Sequence, residues 1–299
     1  MQAAELVRKI RKIDIVTSRK VAESLAGGYH SVFKGRGVEF AEVRPYQPGD
    51  DIRFIDWNVT ARTGEMFTKN FTEERELVVN LLVDVSASQN VGAKRPKREF
   101  TAEVAALLAH SAIANGDRVG LILFTDRVEK VLPPRKGRRH ALRIIRELLG
   151  FEPRGTGTDV GQALETLNRV VRRRSVSFIL SDFLSGLENF QRPARVAARR
   201  HDLIPVVIRD PLERALPPAG LVRVVDAERG IPVWIDAGNP AVRARFAQVV
   251  EQEQLALGKL FRELQTEPIR LVSGPDEDLA RRETVRAFVR FFALRQSRR

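Results

Sequence analysis

The sequence predicts a doubly wound α/β fold on a mostly parallel sheet, preceded by an N-terminal helix and a small β extension. Two observations point to it. From residue 77 onward, short apolar runs alternate with stretches of helical periodicity, the rhythm that builds parallel sheets. The runs are mostly apolar along their length instead of at every second residue, which is what strands covered on both faces favour. A chain of 299 residues with 43% hydrophobic side chains has apolar mass enough for such a core.

Residues 3 to 26 read as an amphipathic helix, with Leu6, Ile10, Ile13, Val21 and Leu25 at its apolar positions and Gly27-Gly28 ending it. Val38 to Arg44 alternates as a strand, Pro48-Gly49-Asp50 marks a turn, and Met66 to Thr72 suggests another strand. This stretch is too short and turn-rich to own a core. Residues 1–75 are therefore an extension expected to pack on the rest of the chain, and 76–299 are the main domain.

In that domain, Leu77 to Val83 is a buried strand and Glu99 to Ala114 a helix with Phe100, Val104, Leu107, Leu108 and Ser111 at helical spacing. Val119 to Phe124 and Val128 to Leu132 are strands, Arg138 to Leu149 and Val160 to Val171 helices. Val176 to Leu180 is a strand, Phe190 to Arg200 a helix and Leu203 to Ile208 a strand. A hairpin pairs Leu221 to Val225 with Ile231 to Ile235 across Gly230. Ala241 to Gln265 is a long helix whose apolar face runs through Val242, Phe246, Val249, Val250, Leu257, Phe261 and Leu264. Ile269 to Val272 is the last strand and Leu279 to Leu294 the closing helix.

The absence of cysteine excludes a disulfide scaffold, thiolate metal sites and cysteine nucleophiles, and it fits a reducing compartment. The first residues mix charge with apolar side chains and lack the unbroken apolar core of a signal peptide. No apolar run approaches the roughly 18 residues of a membrane helix. A soluble, cytoplasmic protein without a transmembrane segment is the expectation. A formal charge of +13 favours an acidic partner, unless arginine is simply the favoured surface residue.

In open α/β sheets, ligands bind beyond the carboxyl ends of the strands. Three stretches fall there. The first strand runs into Asp84-Val85-Ser86-Ala87-Ser88, Gly155-Thr156-Gly157-Thr158-Asp159 leads into a helix, and the strand from Val176 runs into Ser181-Asp182. Together they offer carboxylates and hydroxyls, with no imidazole or thiolate. That donor set suits a hard cation such as Mg²⁺ or Mn²⁺, whereas zinc would want nitrogen or sulfur. Asp84, Ser86 and Ser88 alternate, so an extended loop directs all three to one side. Neutral hydroxyl ligands also leave a cation electrophilic enough to take a carboxylate from another protein. Each stretch has an ordinary use as well, since Asp84 and Ser86 suit a turn, and Thr158 and Asp159 a helix cap.

The Asp-x-Ser-x-Ser pattern, the threonine in a Gly-rich loop and the strand-end aspartate resemble the metal-ion-dependent adhesion site of von Willebrand factor A domains. The resemblance implies Asp84, Ser86 and Ser88 as the first ligand loop, Thr158 as the second and Asp182 as the third, with Thr156 competing with Thr158. Arg44-Pro45-Tyr46-Gln47-Pro48-Gly49-Asp50-Asp51-Ile52-Arg53-Phe54-Ile55-Asp56-Trp57 looks like the signature of the bacterial and archaeal domain of unknown function fifty-eight, and Lys34 to Phe40 matches too. With Asp210-Pro211 and the Gly230 hairpin, this resemblance covers nearly the whole chain. Members of that family are commonly encoded beside AAA+ ATPases of the MoxR type. The resemblance therefore implies such an ATPase, and a client complex, as partners. Many members carry two N-terminal membrane helices that this chain lacks, so it looks like the short soluble type. Read from its residues alone, the signature offers Ile52, Ile55 and Trp57 as apolar anchors and Asp50, Asp51, Arg53 and Asp56 for local pairing. It is either an add-on to the sheet or a docking surface.

Rival functions fare less well. A haloacid dehalogenase-like phosphatase needs a second acid two residues after its strand-end aspartate, where this chain has Ser86. No P-loop and no Gly-x-Ser-x-Gly elbow occurs. Of the histidines His30, His110, His140 and His201, none sits at a strand end beside a nucleophile, and His201 follows Arg199-Arg200 at a helix end where a cation is favourable. The expectation is not an enzyme. Nucleic-acid binding through Arg135-Lys136, Arg138-Arg139, Arg172 to Arg174 and Arg199-Arg200 is the alternative. Aromatics interleaved with those basic residues are missing, however. The expected function is a metal-dependent protein-interaction module.

Overall fold

The computed structural model describes residues 8, 9, 13, 39–72, 76–92, 95–228 and 230–297. They fall into two compact units: residues 33–77, and residues 78–299 together with those before 33. The N-terminal helix expected over 3 to 26 lies largely outside the described residues. Within it, residues 8, 9 and 13 are helical, Ile13 is buried, and Lys9 pairs with Glu99 at 2.7 Å.

The smaller unit is an antiparallel hairpin of β1 (Glu39–Pro45) and β2 (Phe67–Thr72), bulged between Phe40 and Glu42. Between the strands lies a helix that the sequence pattern does not predict, α1 (Trp57–Thr63). The Asp56 carboxylate accepts from the backbone N–H groups of Asn58 and Val59, and Gly64 ends the helix at φ 76°. The signature's charges pair locally as expected: Arg44 with Asp50 at 2.7 Å, and Arg53 with Asp51 at 2.5 Å. Its apolar anchors do not all anchor. Ile55 is buried, but Ile52 and Trp57 are each 67% exposed.

The larger unit is built on a six-stranded sheet in the order β10-β7-β6-β3-β4-β5. The strands are β3 (Val78–Asp84), β4 (Arg118–Phe124), β5 (Val128–Arg135), β6 (Val176–Ser181), β7 (Asp202–Arg209) and β10 (Ile269–Val272). All neighbours are parallel except β4 and β5. β5 runs three residues past the expected end, through Pro133-Pro134 to Arg135, which an edge strand tolerates because one side of its backbone needs no partner.

Alternation along the strands feeds two cores. Leu82, Ile122, Ile179 and Val207 point to the face covered by α4 (Val160–Val170), α5 (Gln191–Arg200) and α6 (Pro240–Glu263), where they meet Leu164, Phe190, Ala194 and Phe261. Their neighbours Leu81, Leu121, Phe178 and Val206 point the other way and are also buried. On that face α2 (Lys97–Ala114) lies against β3, β4 and β7, and α3 (Arg138–Gly150) lies against α2. The closing helix α7 (Glu277–Ser297) packs on β10. The doubly wound, mostly parallel α/β fold is thus the one expected. The apolar face of α6 narrows to Val250, Leu257, Leu260 and Phe261, and Val249 is exposed. The hairpin of β8 (Leu221–Val225) and β9 (Pro232–Asp236) forms a separate two-stranded sheet. Among the described residues, no helix is long and apolar enough to cross a membrane.

Candidate metal centre at the sheet rim

β3 and β6 are neighbours in the sheet, so their carboxyl ends emerge side by side. That adjacency brings Asp84, the last residue of β3, next to the Ser181-Asp182 end of β6. Asp84 is fully buried. Its Oδ1 accepts from the Ser86 backbone N–H at 2.9 Å, and its Oδ2 from the Ser181 hydroxyl at 2.7 Å. The Ser86 and Ser88 hydroxyls lie 3.1 Å apart, and Ser88 donates to Asp182 Oδ2 at 2.9 Å. Four of the five side chains expected to bind metal therefore form one unbroken chain of contacts.

The fifth, Thr158, arrives on the loop before α4. That loop is tied to the first one by Ala87 N–H to Thr156 C=O at 3.0 Å, and to the end of β4 by Asp159 N–H to Thr125 C=O at 2.8 Å. Of the two competing threonines, Thr158 is buried and Thr156 is exposed. The Thr158 hydroxyl donates to Glu228 Oε1 at 2.7 Å. The loop can pass this close to β4 only because residue 155 is glycine. A Cβ there would stand 2.1 Å from Asp126 Oδ1 and 2.2 Å from Thr125 Oγ1. Gly155→Ala should displace the Thr158 loop and lower the thermal midpoint by several degrees, on the order of 1–3 kcal/mol of overpacking. An unchanged melting curve would mean that the loop gives way freely.

Several residues of the site carry no signal in the sequence pattern. The largest is Lys97, a fully buried lysine on the first turn of α2. Its ammonium donates to Asp182 Oδ2 at 2.6 Å and to Glu213. Burial works to lower the Lys97 pKa, but Asp182 and Glu213 outweigh it and the net shift is upward. Glu213 is presented by a capping box: the Asp210 carboxylate accepts from Leu212 N–H, and Glu213 Oε2 accepts from Asp210 N–H at 3.0 Å. The Asp210-Pro211 of the sequence signature thus serves to deliver Glu213 to Lys97. Gln89 adds a third donor to Asp182 Oδ2 at 3.1 Å. Phe183 holds the turn beyond Asp182 at φ 55°, a left-handed conformation fixed by its burial against Phe190 and Phe261.

Among the described residues, no cation pairs directly with Asp84. Its pKa is pushed up to about 7, first by burial and then by the charge of Asp182. Asp84, Asp182 and Glu213 carry three carboxylates against the single ammonium of Lys97. Among the described residues, no three His, Cys, Asp or Glu side chains gather as a metal group, so any cation here would depend on the hydroxyls of Ser86, Ser88 and Thr158. An all-oxygen donor set with an uncompensated buried carboxylate fits Mg²⁺ or Mn²⁺.

His140 and His201 sit elsewhere. His140 Nε2 lies 2.8 Å from the Val119 carbonyl near the start of β4, and His201 Nδ1 lies 3.0 Å from the Ser175 hydroxyl just before β6. Both belong to the amino ends of strands, the opposite rim. His201 is also not the helix-end cation that its sequence position suggests. Burial, then Arg200 and Arg174, push its pKa down to about 4, so it is neutral at pH 7.

Comparison with known proteins adds relatives at the level of sequence. A family model described as "Protein of unknown function DUF58" matches residues 42–256. An uncharacterized protein of Mycobacterium tuberculosis, Rv1480, is 33% identical over 261 residues, covering 86% of this chain and 82% of its own. The uncharacterized protein YeaD of Bacillus subtilis is 32% identical over 108 residues, 36% of this chain and 25% of its own. Among solved structures, the conserved hypothetical protein BatB of Bacteroides thetaiotaomicron is similar at a TM-score of 0.45 and 14% identity, over 73% of this chain and 98% of its own. The SpRpn10 VWA domain is similar at 0.39 and 12%, over 71% and 97%.

Proposed function

This chain belongs to the DUF58 family, and we propose that its sheet rim is a metal-dependent protein-interaction site. The observation that carries the reading is the chain of contacts through Asp84, Ser86, Ser88 and Asp182, with Thr158 on the adjoining loop. It is an oxygen-only donor set at the carboxyl end of a parallel sheet. Such a site holds Mg²⁺ or Mn²⁺ and offers it to a carboxylate on another protein. The net charge of +13 favours an acidic protein face as the surroundings of that carboxylate. A MoxR-type AAA+ ATPase, with a client complex that the two assemble or activate, is the partner proposed.

Asp84→Ala should weaken Mn²⁺ binding by about 100-fold or more in calorimetry, since it removes a carboxylate from the donor set. Capture of the partner ATPase should fail in EDTA, recover on adding Mg²⁺, and weaken with rising salt. Unchanged Mn²⁺ affinity in the variant, or capture indifferent to EDTA, would remove the metal from the contact. Capture competed away by duplex DNA would favour a nucleic-acid role instead.

A further inference from the structure

Thr158 donates its hydroxyl hydrogen to Glu228, which lies 70 residues further along the chain. Glu228 sits in the turn of the β8–β9 hairpin. Asp226 shapes that turn: its carboxylate accepts from Glu228 N–H at 3.0 Å, and its carbonyl from Gly230 N–H at 2.7 Å. The second oxygen of Glu228 faces the same loop, 3.8 Å from where a Cβ on Gly157 would stand. One carboxylate is thus aimed by its own turn at a hydroxyl of the candidate metal centre.

The element that carries it is poorly anchored. Leu221 is 66% exposed, Val233 52% and Trp234 63%, and among the described residues the two strands pair only with each other. A lone two-stranded ribbon is marginally stable in water. At its base the Gly238 N–H bonds the Gly220 carbonyl at 3.1 Å, and Gly220 takes φ 68°, so both strands leave the domain through glycines. Short-lived local opening is expected of an element with so little buried surface.

Resting on the metal-dependent reading of this rim, we propose that Glu228 is a further ligand of the same site, a carboxylate that the chain supplies to its own metal on a hinged hairpin. In the closed state Glu228 fills the place that an acidic partner residue would take. A partner gains the metal only by displacing the hairpin. The exposed apolar side chains of β8 and β9 ride on the element that must move.

The test uses the full chain and Mn²⁺, with metal-bound waters counted by relaxation dispersion and affinity measured by calorimetry. Glu228→Gln should add one exchangeable water to bound Mn²⁺ and lower affinity about tenfold. Acetate at millimolar concentration should remove that extra water in the variant and leave the wild type unchanged. Glu228→Ala supplied with acetate should return to the wild-type water count, a rescue that a merely misfolded hairpin would not give. Wild-type Mn²⁺ binding with the same waters and affinity in Glu228→Gln would overturn the ligand role and leave the metal reading standing. A wild type that binds no Mn²⁺ would overturn both.

Discussion

Lys97→Met should lower the stability of the metal-free protein by about 3–5 kcal/mol, a drop of roughly 10 °C in the thermal midpoint of a domain this size. The side chain is fully buried. Among the described residues it is the one cation bonded to Asp182, which is itself 1% exposed, and it also bonds Glu213. Methionine fills the volume of the stem but leaves two carboxylates facing each other in low dielectric. Solvent cannot take over, as it does when an exposed ion pair is broken. The sign with pH follows from the direction of the shift. The Lys97 pKa lies above its ordinary 10.5, so its contribution is fully present across the neutral range and is lost only as pH rises beyond that value. A second substitution, Glu213→Gln, should recover part of the loss, because it removes one of the stranded charges while its amide can still accept from Asp210 N–H. Chemical denaturation of the wild type and the two variants at pH 7.5 checks this. A loss below about 1 kcal/mol for Lys97→Met would place the lysine among ordinary surface pairs.

Much of this molecule is legible in its sequence, and the rest is hidden for identifiable reasons. β3, β4, β6 and β7 announce themselves because strands buried on both faces are apolar at most positions. Asp84, Ser86 and Ser88 are legible because one short loop carries all three, and Asp182 because the strand before it ends so sharply. Lys97 is not. It stands in the run Arg95-Pro96-Lys97-Arg98, which reads as a solvated basic patch, while its partners lie 85 and 116 residues away. Nothing local marks it as buried. Glu228 is hidden in the same manner. Helix α1 is hidden for the opposite reason: none of its residues is buried, so it has no apolar stripe to detect. Its only signals are its caps, Asp56 and Gly64. His201 misleads because Arg199 and Arg200 before it are exposed, whereas it starts the descent into β7 and is buried.

Asp84→Asn should stabilise the metal-free protein, and by more as pH rises. The Asp84 carboxyl has a pKa pushed from 3.8 to about 7 by burial and by Asp182. Below pH 3.8 it is protonated in both the folded and the unfolded chain and costs nothing. Between 3.8 and 7 the folded chain holds a proton that the unfolded chain has released, so stability falls as pH rises. Above 7 the full cost of burying the charge is present, on the order of a few kcal/mol by the relation between pKa shift and free energy. Asparagine has nearly the same shape. Its oxygen can accept from Ser86 N–H as Asp84 does, and its amide can donate to the Ser181 oxygen once that hydroxyl turns. The difference in thermal midpoint between variant and wild type should therefore be near zero at pH 4, grow through pH 7 and level off by pH 8, at several degrees in favour of the variant. A difference that is flat with pH would mean that the Asp84 carboxylate is already neutralised within the fold. A difference that grows with pH makes this rim a place where the chain retains a destabilising charge. An incoming cation would relieve the same cost that asparagine removes.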